Sequence, residues 1–324
     1  MGVLVTGGAG YIGSHAVLRL VERGDRVTVL DDLSTGVRAL VAPGVMFVAG
    51  DIGDEGLVAD LLAREKIDAV MHFAGSVIVP ESVADPLKYY ANNTAKTRGL
   101  VAACARAGIK AFIFSSTAAV YGAPKEMRVS ETSPLAPVNP YGRSKLMSEW
   151  MLEDAGHAHG LRSISLRYFN VAGADPVGRS GQAMKGATHL IKVACEVAAG
   201  KRHELEIFGT DYPTPDGTCI RDYIHVADLI EAHVLALDAL RAGAPSAVYN
   251  CGYGRGASVR EVVDAVGRVA GRPIATRNAP RRAGDPPALI AEAGAIRRAL
   301  GWRPKHENLE FIVKTALDWE RRRA

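Results

Sequence analysis

Cysteine is scarce in this chain: Cys104, Cys195, Cys219 and Cys251 are the only four in 324 residues. None belongs to a Cys-x-x-Cys pair. A disulfide framework and a cysteine zinc site are therefore not expected, no metal ligand set is assigned, and free thiols in a reducing cytoplasm are the expectation. No run of 18 or more apolar residues occurs, so no membrane span is expected. The first apolar strand begins beside Met1 and leaves no room ahead of it for a signal or transit peptide. An excess of one charge is lacking too. Thirty-nine Lys and Arg stand against 35 Asp and Glu, a formal net charge of +4. That balance does not suit a nucleic-acid binder, and the run Arg321-Arg322-Arg323 reads as a solvated tail. It does suit an anionic small-molecule substrate. Neither an internal repeat nor a low-complexity block is present.

What the chain has in quantity is glycine, 34 residues. Gly7, Gly10 and Gly13 follow the β-branched, apolar run Val3-Leu-Val5 and precede Ala16, Leu18, Leu20 and Val21 at helical spacing. A strand that turns sharply into a helix, with its backbone free to touch a pyrophosphate, needs this order. The N–H groups and positive dipole end of the helix then hold the phosphates. Residues 27–31 read as a second strand ending in Asp31, 18 positions past Gly13. That is close to the ~20 expected for the acid that binds the adenosine ribose. Asp31 and Asp32 would repel a 2′-phosphate, which favours NAD over NADP.

Strands and helices alternate to about residue 170. Further strands are predicted at 45–51, 69–75, 110–116 and 162–168, with helices at 57–64, 86–107 and 141–155. The fold class is therefore α/β: a doubly wound parallel sheet of the Rossmann type with a smaller C-terminal substrate-binding domain. Residues 1–172 form the dinucleotide-binding domain and 173–324 the second, with the segment 222–251 packing back onto the first. A helix at 228–242 and a strand at 247–251 lie in that segment. The ligand site is expected at the carboxyl ends of the strands.

The chemistry is expected at Tyr141 and Lys145, four apart and so a turn apart on one helix face. A free tyrosine has a pKa of about 10, and a base poised near pH 7 needs it roughly 3 units lower. A nearby ammonium, a cationic ring and a helix N-terminus all push that way, and Pro140 fits a helix start. Ser115, Ser116 and Thr117 supply hydroxyls just past the fifth strand.

With these residues in place, the chain resembles the extended short-chain dehydrogenase/reductases, and among them the UDP-glucose (UDP-galactose) 4-epimerases. The resemblance is carried by Thr6-Gly-Gly-Ala-Gly-Tyr-Ile-Gly13, His72-Phe-Ala-Gly75, Tyr89-Tyr-Ala-Asn-Asn93, Phe114-Ser-Ser-Thr117 and Pro140-Tyr-Gly-Arg-Ser-Lys145. It continues through Arg167-Tyr-Phe-Asn170, Phe208-Gly-Thr-Asp-Tyr-Pro213, Asp216-Gly-Thr218 and Arg221-Asp-Tyr-Ile-His-Val226. It implies NAD-dependent interconversion of UDP-glucose and UDP-galactose by inversion at C4. The C4 hydride passes to NAD and back through a transient 4-keto sugar. Tyr141 is implied as the base, Lys145 as its electrostatic partner and an NAD ligand, and Thr117 as a substrate-holding hydroxyl. Around NAD it implies Gly7, Gly10, Tyr11, Ile12, Gly13, Asp31, Asp51 and Ile52, with Phe73, Ala74, Gly75, Asn92, Ser115 and Tyr168. Around the UDP-sugar it implies Asn170, Leu190, Phe208, Arg221, Arg282 and Asp285. A homodimer through the helices at 86–107 and 141–155 is also implied.

Three positions depart from the family pattern. Val77 stands where many members carry a Lys near the cofactor. His189 replaces an Asn that commonly contacts the sugar or diphosphate. Leu289, of intermediate size, occupies the position that gates the sugar pocket, so N-acetylated sugars stay open. A 4,6-dehydratase needs an acid after Thr117, and Ala118-Ala119 stand there instead. Epimerases of UDP-N-acetylglucosamine, UDP-xylose or UDP-glucuronate differ only around the sugar and remain alternatives. A non-catalytic NAD-sensing regulator could dispense with Tyr141, Lys145 or Thr117, and all three are present.

Overall fold

The computed structural model describes residues 2–184, 186–282 and 284–323. Its centre is a seven-stranded sheet. Five strands come from the first 117 residues: β1 (Gly2–Thr6), β2 (Arg26–Asp31), β3 (Met46–Ala49), β4 (Ile67–His72) and β5 (Ala111–Thr117). Arg162–Tyr168 adds to β5, and Ala247–Cys251 completes the edge beyond it. Every pairing is parallel. Ala247–Cys251 thus joins the sheet from late in the chain.

The strands are apolar on both sides because both faces are covered. Val3, Val5, Val27, Val29, Met71 and Ile113 point to one core. The helices α1 (Tyr11–Glu22) and Val226–Arg241 contribute Val17, Leu20, Leu229 and Leu237 to it. Leu4, Leu30, Val70, Phe112 and Phe114 point the opposite way and meet α2 (Glu55–Arg64) and the helix Lys96–Arg106. Each such Leu or Phe stabilises the fold by about 1.5–3 kcal/mol relative to exposure. The strand order reverses between β1 and β4, where successive crossovers leave to opposite faces. A crevice opens there at the carboxyl ends.

The long helix predicted at 86–107 differs in one respect. Pro86–Tyr89 and Lys96–Arg106 are α-helical, but Tyr90–Ala95 between them is a π-helical turn. The widened turn lets Asn92 and Asn93 both reach the loop after β4. Asn92 Nδ2 donates to Ser76 Oγ at 2.9 Å, and Asn93 Oδ1 accepts from Ser76 N at 2.7 Å. Such turns recur at functional sites. Beyond residue 170, regular structure continues where the sequence shows no alternation. Ile220–His225 is flanked by Gly256–Ser258, Ala288–Ala291 and Asn170–Ala172, and Leu205–Phe208 pairs with Thr276–Ala279.

Four histidines are sealed in this core. Burial lowers His15 and His233 to about 4 and His72 and His225 to about 3. His72 bridges Thr6 Oγ1 at 2.7 Å and Thr97 Oγ1 at 2.9 Å. In the unfolded chain each imidazole takes a proton below about pH 6.5, whereas the folded chain keeps it neutral. The unfolded state therefore binds more protons below that pH, and the stability is lost as pH falls from 6.5 toward 4. Melting temperature is expected to be flat between pH 7 and 8 and to drop steeply below pH 6, as a calorimetric pH series would record.

Candidate active site

One cleft of about 1910 Å³ runs along the carboxyl ends of the sheet. A single drug-sized ligand needs roughly 300–1,000 Å³, so the cleft has room for two nucleotide ligands side by side. The site residues singled out in the sequence line it, from Gly7 to Leu289, except Ser116, which points beneath it.

At one end the chain is shaped for a dinucleotide. Gly7 has φ +71°, and a Cβ there would lie 2.6 Å from Ala74 N. A Cβ on Gly13 would lie 2.2 Å from Gly7 O. The first turn of α1 has no side-chain cap and no acidic residue, so its amides and dipole face the cleft uncompensated. Asp31 closes β2 with its carboxylate oriented by Ala9 N at 2.9 Å and Leu33 N at 2.8 Å. One lone pair on each oxygen is spent on these amides and the other remains for a ribose hydroxyl. Asp51 is held by Lys96 at 2.5 Å and Gly53 N at 2.8 Å, beside Ile52. These residues fit NAD: glycines where its phosphates approach, an unshared acid where its ribose would lie.

The middle of the cleft holds the titratable set. Asn139 caps the helix Pro140–His159 by accepting from Gly142 N at 2.8 Å, which starts the helix just before Tyr141. The Thr117 hydroxyl stands beside Tyr141 and pulls its pKa down. Lys145, one turn on, is 3% exposed, and its Nζ sits 5.0 Å from the Phe114 ring centre. Burial lowers its pKa to about 8. Ser115 Oγ bonds Tyr168 Oη. Phe73, Ala74 and Gly75 form the wall after β4.

One expectation is corrected here. The chain by itself raises the Tyr141 pKa, because burial outweighs the opposing effect of the Thr117 hydroxyl. Burial also lowers the Lys145 pKa to about 8, so the ammonium persists at neutral pH but does not offset the burial of the phenol. The push toward phenolate is left to a cationic ligand in the cleft.

At the far end, Arg221 Nη1 donates to Ile220 O at 2.8 Å and Pro286 O at 2.9 Å, and Arg221 Nη2 lies 3.4 Å from Asp285 Oδ1. The Arg282 guanidinium covers the Phe208 ring at 3.7 Å. His189 precedes the helix Leu190–Ala198, and its Nδ1 accepts from Gln182 Nε2 at 2.8 Å. Asn170 lies on the strand after Tyr168. Leu289 packs with Ala118, Tyr121, Leu146 and Phe169, which ties the sugar-gate position to the residue after Lys145.

Sequence reasoning missed the residues that brace this set. Asn93 Nδ2 donates to Ser144 Oγ at 3.1 Å and to Ser76 O at 3.0 Å, and Ser148 Oγ donates to Asn93 O at 3.0 Å. The loop after β4 is thereby locked to the helix of Tyr141 and Lys145. The available signal was a doubled Asn in a helix opposite Ser144 and Ser148 at i, i+4.

The model of the NAD dependent epimerase/dehydratase family matches residues 3–252. The UDP-glucose 4-epimerase of Azospirillum brasilense is 60% identical over 319 residues, 98% of this chain and 92% of that protein. The crystal structure of UDP-glucose 4-epimerase from Brucella ovis in complex with NAD superposes with a TM-score of 0.96 at 45% identity, covering 99% of this chain and 98% of that one. The UDP-Glc/GlcNAc 4-epimerase of Campylobacter jejuni is 51% identical with a TM-score of 0.87, covering 99% of each chain. The chain belongs to the NAD dependent epimerase/dehydratase family.

Proposed function

We propose that this protein is an isomerase that interconverts UDP-glucose and UDP-galactose by inverting the sugar at C4, with NAD as its retained cofactor. The observation that carries this reading is that Thr117, Tyr141 and Lys145 line one cleft with the glycine turn and Asp31, the lysine one helical turn from the tyrosine. Bound along Gly7 to Asp31, NAD supplies a reversible two-electron acceptor facing the sugar. Asp31, Asp51 and Ile52 serve its adenosine half, and Asn92, Ser115, Lys145 and Tyr168 its other half. Tyr141 Oη takes the proton of the sugar 4-hydroxyl and later gives it back. Thr117 Oγ1 steers that hydroxyl and stabilises the phenolate by its hydrogen bond. Lys145, charged below about pH 8, adds a positive field beside it.

Arg221 and Arg282 present planar donor forks to a diphosphate, and Phe208 offers a ring face for the uracil. His189, Leu190, Asn170, Asp285 and Leu289 enclose the rest. Held by its nucleotide, the substrate leaves a small sugar free to turn over between the two proton transfers. Residues 1–172 would carry the cofactor and 173–324 the nucleotide sugar.

A second reading rests on Leu289. Its side chain is shorter than an aromatic gate and leaves space beside the sugar, so a UDP-N-acetylhexosamine, UDP-xylose or UDP-glucuronate remains an alternative substrate. Incubating the purified chain with UDP-galactose, UDP-N-acetylgalactosamine and UDP-xylose, without added cofactor, and identifying products by chromatography separates the readings. UDP-glucose from UDP-galactose at the highest kcat/KM is expected; no C4 epimer from any of the three would overturn the assignment.

The same proposal includes a homodimer and a cytoplasmic location, which suits four free, buried thiols. Val83, Leu87, Met147 and Trp150 stand 64%, 75%, 37% and 52% exposed on neighbouring helices. An apolar group of this size on the surface points to a partner. Trp150→Glu combined with Leu87→Lys is expected to shift the sedimentation coefficient from dimer to monomer; an unchanged dimer would contradict this interface.

A further inference from the structure

Beneath the cleft lies a charged cluster that touches neither proposed ligand. Glu149 and Arg167 are 6% and 4% exposed. Arg167 Nε donates to Glu149 Oε1 at 3.0 Å and Nη2 to Oε2 at 2.6 Å, a two-pronged fork. Ser116 Oγ donates to the same carboxylate. Arg167 Nη1 donates to Tyr121 Oη at 3.1 Å, and that hydroxyl donates to Asn250 Oδ1 at 2.6 Å. None of the five residues lines the cleft.

Their places in the chain are informative. Ser116 stands between Ser115, bonded to Tyr168, and Thr117, which lines the cleft with Tyr141. Glu149 lies one helical turn past Lys145 and two past Tyr141, on the same face. Arg167 immediately precedes Tyr168. Asn250 sits opposite Arg167 in the neighbouring strand and donates from Nδ2 to Val129 O at 2.9 Å. Val129 in turn pairs with Ala291, two residues past Leu289. One buried carboxylate therefore joins β5, the helix of Tyr141 and Lys145, and the strand that delivers Tyr168.

Stability alone does not call for such a pair, because well-packed apolar side chains of similar volume commonly hold a fold as well or better. What they lack is direction: a guanidinium fork accepts a carboxylate in one plane and at one angle. We propose that the Glu149–Arg167 pair is a positioning device for the reaction assigned above. It fixes Thr117, Tyr141, Lys145 and Tyr168 relative to one another, and turnover depends on its geometry rather than on the volume it fills. The inference rests on the epimerase reading.

The discriminating test is a pair of variants assayed as cofactor-loaded enzyme with UDP-galactose. Arg167→Lys keeps the charge and loses the fork. The double variant Glu149→Leu with Arg167→Met replaces the pair by apolar groups. A displacement of about 1 Å at reacting groups costs on the order of 10²-fold in rate. Arg167→Lys is expected to lower kcat roughly 10- to 100-fold, with KM within about threefold and bound NAD unchanged. The double variant is expected to regain the wild-type melting temperature but not its kcat. A double variant with both melting temperature and kcat restored would show a purely structural pair and overturn the proposal. Should either variant fail to fold, Ser116→Ala cuts only the link to β5. A kcat about fivefold lower at unchanged KM supports the device, and a kcat within twofold of wild type overturns it. A wild-type chain with no epimerase activity would instead bring down the functional reading, and this inference with it.

Discussion

Tyr141→Phe is expected to lower turnover of UDP-galactose by at least about 1,000-fold, roughly 4 kcal/mol of barrier, with NAD content and UDP affinity within twofold of wild type. The substitution deletes one oxygen and leaves the ring between Tyr89 and the cleft. The Tyr89 and Tyr141 rings meet edge to face at 6.4 Å, a contact Phe preserves. Among the described residues, nothing else in the middle of the cleft can take over. The Thr117 hydroxyl is far too weak an acid, Tyr168 is tied to Ser115 and pushed up by burial, and Lys145 is a donor below about pH 8. The proposed binding contacts lie elsewhere, in the glycine turn and in Arg221 and Arg282, so binding is expected to survive. Residual turnover above about 10% of wild type would remove Tyr141 from its assigned role.

Gly13→Ala is expected to give a folded chain purified with less than about a tenth of the wild-type NAD and correspondingly little activity. The added methyl would lie 2.2 Å from Gly7 O and 2.9 Å from Gly8 Cα. Both contacts are to backbone, so no side chain can swing aside and the turn itself must move. The displaced segment is the one whose amides face the phosphates. The sheet behind it, from Val3 to Val5, keeps its packing, so a melting temperature measured with excess UDP should fall by only a few degrees. NAD absorbance per chain reads the effect directly, and a full complement of NAD would contradict the proposed phosphate site.

Much of this architecture is legible in the chain because it depends on local signals. Val3-Leu-Val5 must be a strand buried on both faces. Gly7, Gly10 and Gly13 must turn it into a helix, and Tyr141 and Lys145 must share a helix face. The strands Ile220–His225, Gly256–Ser258 and Ala288–Ala291 carry no such signal. They are three to six residues long, and each is extended because it pairs with a partner far away in sequence. The π-helical turn at Tyr90–Ala95 escaped for a related reason, since Asn93 earns its place through Ser76 and Ser144 rather than its helical neighbours. Glu149 and Arg167 look like surface charges in sequence and become buried only when the helix docks on the sheet. The Tyr141 pKa is not legible in sequence, because spacing gives the nearness of an ammonium but not the dielectric around the phenol. Burial acts on both groups, raising one and lowering the other.

The central claim is that C4 inverts by removing and returning the same hydrogen while Tyr141 moves only the hydroxyl proton. UDP-galactose labelled with deuterium at C4 and converted in ordinary water tests it most directly. The account predicts UDP-glucose that keeps its deuterium at C4 by NMR. Deuterium washed out into solvent would mean proton abstraction from carbon, and would contradict the roles assigned to the tyrosine and the cofactor cleft.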